Sequence, residues 1–385
     1  EGKFFVWTPD EIRAVLGREE GDIFGGFFGV TDAGNFEGKN ILNTPQKATP
    51  FAEEQGLALD RLVGIIQRGK ESLRRERERR VHPLRDDKVL ASWNGLMMRS
   101  FAEAAVALDR ADYLQAATKN AGFLLAAMKP QGRLLRTYRQ GQAKLLGYLE
   151  DHAFVADGLL ALYEATFDRR WLDEAVSLAG SMVELFWDEA AGGFYDTGSD
   201  HESLVVRPRD LFDNAQPCGG SVASDVLLRL AIITGNDDYA KKGASPLRAL
   251  HDLMGRAPAG TGHWLATLDF YVSVPKEIAI IGAREDPATQ RLIDTVFKRY
   301  LPNKVVVGAS RGGNPPNPPE IPPNPPLQRW AEVGFPSRMM VEEISIPLLE
   351  GREMLNGKPT AYVCQNYTCR LPVTDPEALA KQLDI

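Results

Sequence analysis

The chain has 385 residues, 44% of them hydrophobic, and a formal charge of −7. That is enough apolar material for one large packed domain or two ordinary ones. The acidic balance argues against broad binding to nucleic acid or to an anionic membrane, both of which need a basic field.

No apolar run approaches the ~20 residues needed to span a bilayer. Three cysteines, Cys218, Cys364 and Cys369, are too few for a disulfide framework, and their odd number fits a reducing, cytoplasmic setting. The chain opens on EGKFFVWTPDEI, with no initiator Met and no signal-peptide pattern, and reads as a piece of something longer.

Thr8-Pro9-Asp10-Glu11 predicts an N-cap, a Pro at the first helical position and an acidic first turn, for a helix reaching about Leu16. Asp22 to Asn43 is Gly-rich and reads as irregular. Phe51 to about Arg80 reads as one long helix whose final RRERERR is a solvated face. A helix-pair unit then recurs three times, over Ser92–Met128, Asp151–Trp187 and Pro217–Met254. Each copy has an apolar-periodic helix, a polar turn with Asp, an aromatic (Tyr113, Trp171, Tyr239) and a second helix. One such pair cannot bury its own apolar face, so the copies share a core, as an open solenoid or a closed ring.

Between the copies, residues 132–138 with 144–149, and 192–197 with 203–208, read as β-hairpins. A last amphipathic helix follows His263-Trp264 and reaches Tyr271. The tail changes character: a β run at 277–281, a helix over 286–300, a β run at 303–307, strand-like residues 360–373, and a short helix from Asp375. The Pro/Asn-rich stretch 312–326 predicts an exposed polyproline-like loop. The chain is thus divided into helical hairpins, 1–275, and a C-terminal α/β segment, 276–385.

Polar clusters stand before or at the start of each repeat's first helix. They are Arg85-Asp86-Asp87-Lys88 with Trp93-Asn94, then Glu150-Asp151-His152, then Asp213-Asn214 with Gly219-Gly220-Ser221. Each alone reads as N-capping. If the first helices line a ring, the clusters meet at one mouth, where helix N-termini favour hydroxyl and carboxylate ligands. Carboxylates and a histidine at such a mouth suit acid/base work on a sugar. In that reading Asp87 and Asp151 are the acid/base carboxylates and His152 the proton shuttle. Trp93 and Tyr195 form a sugar platform and Arg207 holds an anionic group. Asp86, Lys88, Asn94, Glu150, Ser221 and His263 complete the substrate-binding set. A shuttle must reach its ligand, so His152 is expected to contact a pocket; the alternative is a core histidine.

No HExxH, paired CxxC or EF-hand loop occurs, so neither a metal nor a cofactor is expected. Cys364 and Cys369 lie in the alternating run AYVCQNYTC. In one extended strand, residues five apart face opposite ways, so both are expected to be reduced and at least partly buried. Cys218 opens the third repeat, either as a reactive thiol at a helix start or as a small packing residue.

Several long strings carry a resemblance: EGKFFVWTPDEI, GVTDAGNFEGKNIL (29–42), RDDKVLASWNGLMM (85–98), YLEDHAF (148–154), FWDEAAGGFYDT (186–197), DNAQPCGGSVAS (213–224) and TAYVCQNYTCRLPVTDPEAL (360–379). Through them nearly the whole chain resembles the spermatogenesis-associated protein 20 family of thioredoxin-domain-containing proteins. The resemblance implies a mainly α fold, an (α/α)6 six-hairpin barrel similar to N-acylglucosamine 2-epimerases and six-hairpin glycosidases. It further implies a preceding thioredoxin-like domain as partner, with that domain and roughly the first two hairpins outside this chain. The implied function is a carbohydrate-active or carbohydrate-binding barrel, or else a non-catalytic scaffold presenting clients to the thioredoxin-like domain. Two departures stand out. The family's Pro-Ser-Gly-Asn-Ser is here Pro217-Cys218-Gly219-Gly220-Ser221, which removes a hydroxyl and an amide from the third cluster, and the Pro/Asn run is particular to this chain.

Overall fold

The computed structural model describes residues 2–203, 205–309, 344–365 and 368–384. The Pro-rich stretch 312–326 lies outside the described residues. The chain divides into two compact units, Glu1–Asp87 and Lys88–Ile385.

The first unit holds α1 (Pro9–Leu16), α2 (Arg18–Phe27), α3 (Ala48–Glu54) and α4 (Leu59–Arg77). Thr8 starts α1 through a capping box. Its Oγ1 accepts the Glu11 amide at 3.2 Å, and Glu11 Oε2 accepts the Thr8 amide at 2.8 Å. The core gathers Trp7, Ile12, Phe24, Phe51, Leu62 and Ile65. Two expectations are corrected here. The Gly-rich stretch after Asp22 is helical through Phe27, because Phe24 and Phe27 recur on one face and are buried. The long helix over 51–80 is broken after Glu54, where Gly56 takes φ 62°, a left-handed conformation that closes one helix before the next begins.

The second unit opens with β1 (Val89–Leu90), α5 (Ala91–Ala107) and α6 (Ala111–Ala127). The hairpin β2 (Leu135–Arg139) and β3 (Gln142–Leu146) follows, pairing Thr137 with Lys144, and β1 joins it antiparallel. Next come α7 (Leu149–Thr166), α8 (Arg169–Phe186), β4 (Trp187–Asp188) and β5 (Gly193–Phe194). The helical part ends with α9 (Gly219–Thr234), α10 (Asp237–Ala249), α11 (His251–Arg256) and α12 (Gly262–Val272).

The layering follows from burial. α7 and α9 are buried on nearly every face, as helices flanked by others on all sides must be. They form an inner layer, in the order α5, α7, α9, α12. The second helix of each pair, α6, α8 and α10, backs its own first helix. α8 shows the one-sided pattern this requires, burying Trp171, Ala175, Leu178, Met182 and Phe186. The inner helices approach closely because glycines face each other: a Cβ on Gly158 would lie 2.7 Å from the Gly95 carbonyl oxygen. Outer helices start from short polar caps. Asp168 accepts the Arg170 amide at 3.0 Å, and Asn236 accepts the amides of Asp238 and Tyr239 at 2.9 and 3.2 Å. This two-layer stack of α/α hairpins is the mainly helical architecture expected of the chain. The second expected β-hairpin differs: β5 pairs with β4, Trp187 opposite Phe194, and residues 205–208 form no strand.

The C-terminal segment holds β6 (Lys276–Ile281), α13 (Pro287–Phe297), β7 (Lys304–Ala309), β8 (Thr360–Gln365), β9 (Thr368–Cys369) and α14 (Pro376–Leu383). Its sheet has the order β7-β6-β8-β9, parallel between β6 and β7 and antiparallel elsewhere. One face, with Ile278, Ile280, Val306 and Val363, packs on α13 and α14. The other, with Ala279, Val305 and Val307, joins the helical core. Glu164 near the end of α7 accepts the Val306 amide at 3.0 Å, and Arg229 of α9 donates to the Lys304 carbonyl at 3.1 Å. The sheet therefore belongs to the same compact unit as the hairpins, and the division expected at 275/276 does not coincide with the one at 87/88.

The cysteine expectation is also corrected. β8 ends at Gln365 and the chain returns as β9, which sets Cys364 directly opposite Cys369, and the two are disulfide-bonded. Cys364 is buried and Cys369 exposed. Cys218 is free and buried, and burial pushes its thiol up to about 11, as suits a packing residue rather than a nucleophile.

Candidate functional site

The first turns of α5, α7 and α9 meet. Trp93, Asn94, Asp151 and Ser221 all lie in those turns, and the Asp151 carboxylate on α7 accepts the Ser92 amide of α5 at 3.0 Å. A Cβ on Gly219 of α9 would lie 2.9 Å from the Glu150 amide nitrogen of α7.

At this mouth a polar chain crosses three elements. The indole Nε1 of Trp93 donates to Gln216 Oε1 at 3.0 Å, and Gln216 Nε2 donates to Glu150 Oε2 at 2.9 Å. Arg136, from β2, donates to Glu150 Oε1 at 2.8 Å and Asp151 Oδ2 at 2.9 Å. Trp93 is 60% exposed despite standing on an inner helix. Asn94 is turned into the local fold, donating to the Leu90 carbonyl at 2.8 Å.

Asp151 and His152 are fully buried. Asp151 also accepts the Tyr148 amide at 2.9 Å. Burial raises its pKa, against the pull of Arg136. His152 Nδ1 lies 2.8 Å from the Tyr148 carbonyl and Nε2 lies 2.9 Å from an Arg133 nitrogen. The tautomer that serves both donates from Nδ1 and accepts at Nε2. Burial pushes the ring down to about 4, so it is neutral. His152 does not open onto a pocket as expected: the ring packs against Phe186, is 0% exposed and has both nitrogens engaged.

Other expected residues take structural duties. Arg207 donates to the carbonyls of Leu185 and Thr197, which leaves its guanidinium holding a loop rather than facing an anion. Tyr195 carries the guanidinium carbons of Arg207 and Arg209, each 4.0 Å from its ring centroid, so its ring faces are in use. Ser221 is buried and donates to Asp213 at 3.0 Å or to the Cys218 carbonyl at 2.9 Å. Asp213 accepts the amides of Cys218 and His263 at 2.9 and 2.8 Å, capping α9 and α12 together. Asp86 and Asp87 close the first unit and are exposed; Lys88 opens the second and is exposed too.

Two features escaped the sequence reading. The first is Asp196, just after β5. It is half-buried, and its pKa is pushed up to about 6 by burial, then by Asp210 and Glu150. Nothing in the string FYDT announces this, because the burial is tertiary. The second is a buried charge chain along the inner layer. Arg99 pairs with Asp157 and lies 3.9 Å from Asp225, which Arg229 contacts at 3.0 Å. Burial opposes ionisation of Asp225, but Arg229 and Arg99 outweigh it and hold the pKa low. A signal for it existed: Asp157 and Asp225 are lone carboxylates in the otherwise apolar runs FVADGLLALY and VASDVLLRLA. His263 opens α12 near this chain; its Nε2 is buried without a hydrogen-bond partner among the described residues.

Among the described residues no group of three or more His, Cys, Asp or Glu could hold a metal ion, and no helix is long and apolar enough to cross a membrane.

No protein-family model matches the chain. Among solved structures it is similar to cellobiose 2-epimerase from Spirochaeta thermophila, at TM-score 0.36 and 18% identity over 42% of this chain and 43% of that one. It is also similar to cellobiose 2-epimerase from Bacillus thermoamylovorans, at TM-score 0.35 and 10% identity over 44% and 46%. Among curated proteins it is 32% identical to human spermatogenesis-associated protein 20 over 413 residues, with 100% of this chain and 49% of the relative covered. The mouse protein of that name is 30% identical, with the same coverage. The chain spans about half the length of these relatives, and across its own whole length it belongs to the spermatogenesis-associated protein 20 family.

Proposed function

We propose that the mouth formed by the first turns of α5, α7 and α9 binds carbohydrate. The observation that carries the reading is Trp93: a largely exposed indole on an inner helix, its N–H fixed through Gln216 to Glu150. An indole held by its edge offers a flat face to a sugar ring, while Glu150, Gln216 and Arg136 supply acceptors and donors for hydroxyls.

The acid/base part of the proposal moves from His152 and Asp151 to Asp196 and Glu150. A carboxyl with a pKa of about 6 keeps part of its proton near neutral pH and can donate it. Glu150 accepts two hydrogen bonds and serves as the charged partner. The reaction class is that of a sugar epimerase, isomerase or glycosidase.

A second reading, a non-catalytic scaffold that presents clients, is favoured by one observation. Asp151 and His152, the most polar pair at the start of α7, are wholly used in holding helices together.

A thermal-shift screen against neutral sugars, amino sugars and sugar phosphates tests the reading. A ligand at 100 times its dissociation constant adds ~2.7 kcal/mol. A hit whose turnover is followed by NMR and lost in Asp196→Asn supports the enzyme. A hit without turnover supports a binding scaffold, and no hit across the panel removes the carbohydrate reading.

A further inference from the structure

We propose that the Cys364–Cys369 disulfide is a thiol–disulfide exchange site, in which Arg352 holds the sulfur released when a dithiol reductant attacks. The inference is independent of the carbohydrate reading, since it concerns only the edge of the C-terminal sheet.

Three observations carry it. The two sulfurs differ in access: Cys364 on β8 is 1% exposed, whereas Cys369 on β9 is exposed. A guanidinium is aimed at both: Arg352 Nη2 lies 3.1 Å from Cys364 Sγ and 3.4 Å from Cys369 Sγ. That guanidinium is oriented, because its other terminal nitrogen donates to the Leu348 carbonyl and its carbon lies 5.5 Å from the centre of the Tyr362 ring. Glu277 is the cross-strand neighbour of Cys364 on β6. Burial raises the Glu277 carboxyl's pKa, against Arg352, which limits how far it opposes a thiolate beside it.

The chemistry follows from these positions. Exchange proceeds by in-line attack of a thiolate on one sulfur and departure of the other, and a stabilised leaving thiolate departs faster. The accessible target is Cys369. The reductant's first thiolate bonds to Cys369 Sγ and the Cys364–Cys369 bond breaks. Its electron pair stays on Cys364, which becomes a thiolate beside Arg352 and shielded from solvent. The reductant's second thiolate then attacks its own sulfur in the mixed disulfide. It leaves as an intramolecular disulfide and releases Cys369 as a thiolate, which takes a proton from water. Two electrons pass from the dithiol to the cystine, and each sulfur is accounted for. With the roles reversed, the buried Cys364 would have to be attacked and the exposed Cys369 would leave from the more distant contact.

The test follows reduction of the folded chain by dithiothreitol, each sample being quenched with iodoacetamide in denaturant so that the buried Cys364 thiol is labelled too, and read by peptide mass spectrometry. Without reductant, neither Cys364 nor Cys369 should be alkylated; with it, both should be. Arg352→Gln should slow reduction about tenfold, with Arg352→Lys intermediate. A monothiol, glutathione, should leave its mixed disulfide on Cys369; this needs no variant and serves if the Arg352 changes disturb folding. The proposal is overturned if both cysteines alkylate in unreduced protein, if reduction requires denaturant, if a folded Arg352→Gln protein is reduced at the unaltered rate, or if glutathione is found on Cys364.

Discussion

The carboxylate of Asp151 in α7 accepts the backbone amide of Ser92 in α5 at 3.0 Å, so a side chain of one helical hairpin caps the first helix of the hairpin before it. The same carboxylate accepts the Tyr148 amide and an Arg136 hydrogen bond. Three segments depend on one buried group. Asp151→Ala should cost about 3 kcal/mol or more, because it leaves the Ser92 and Tyr148 amides without their acceptor and the Arg136 guanidinium with Glu150 alone. Chemical denaturation checks this; a loss below about 1 kcal/mol would assign the joint to packing alone.

His152 and Asp196 give opposite pH dependences. The folded-state pKa of His152 is lowered from 6.5 to about 4. Its contribution is present above pH 6.5 and is lost as pH falls through 4, because the unfolded chain then binds a proton that the folded one refuses. The pKa of Asp196 is raised from 3.8 to about 6. Its contribution is full below 3.8 and is lost as pH rises through 6. His152→Gln should flatten the acid limb of a stability-against-pH curve and cost about 2–4 kcal/mol at pH 7. Asp196→Asn should flatten the limb between 4 and 6. Melting curves across pH distinguish the two.

Helix approach is tested by two glycines. A Cβ at Gly95 would overlap the backbone of Phe154, and neither helix backbone can move aside without separating α5 from α7. Gly95→Ala should destabilise by about 3 kcal/mol or more. At Gly122, in the outer helix α6, a Cβ meets nothing within 4 Å. Gly122→Ala should stabilise by about 0.5–1 kcal/mol through helix propensity. Equal effects at the two positions, read by thermal melts, would contradict the inner/outer assignment.

The hairpins were legible because each outer helix announces its start locally: Asp168 before Trp171, Asn236 before Tyr239. The inner helices were legible as long apolar stretches. What the sequence hid was tertiary. His152 looked like a shuttle because two carboxylates precede it, yet the α7 backbone turns its ring inward to the Tyr148 carbonyl and Arg133. Arg207 and Tyr195 looked like ligand contacts but bind each other and nearby carbonyls. The cystine depends on the antiparallel pairing of β8 with β9, which sets Cys364 opposite Cys369 and which an alternating pattern does not register. Asp196 owes its perturbation to burial and to Asp210 and Glu150, which its own neighbours in sequence do not predict as a set.

Trp93 should contribute little to stability, since 60% of it is already exposed; Trp93→Ala should change it by no more than about 0.5–1 kcal/mol. The same change should remove binding of any sugar found by the screen, since the platform is lost while the fold stays.

Isothermal titration of the tightest-binding sugar into the unaltered chain and into Trp93→Ala is therefore the most direct test of the carbohydrate site. The account predicts saturable one-site binding to the first and at least a hundredfold weaker binding to the second, about 2.7 kcal/mol, with both proteins melting within a few degrees of each other. Equal affinity for the two proteins would place the sugar elsewhere and contradict the account.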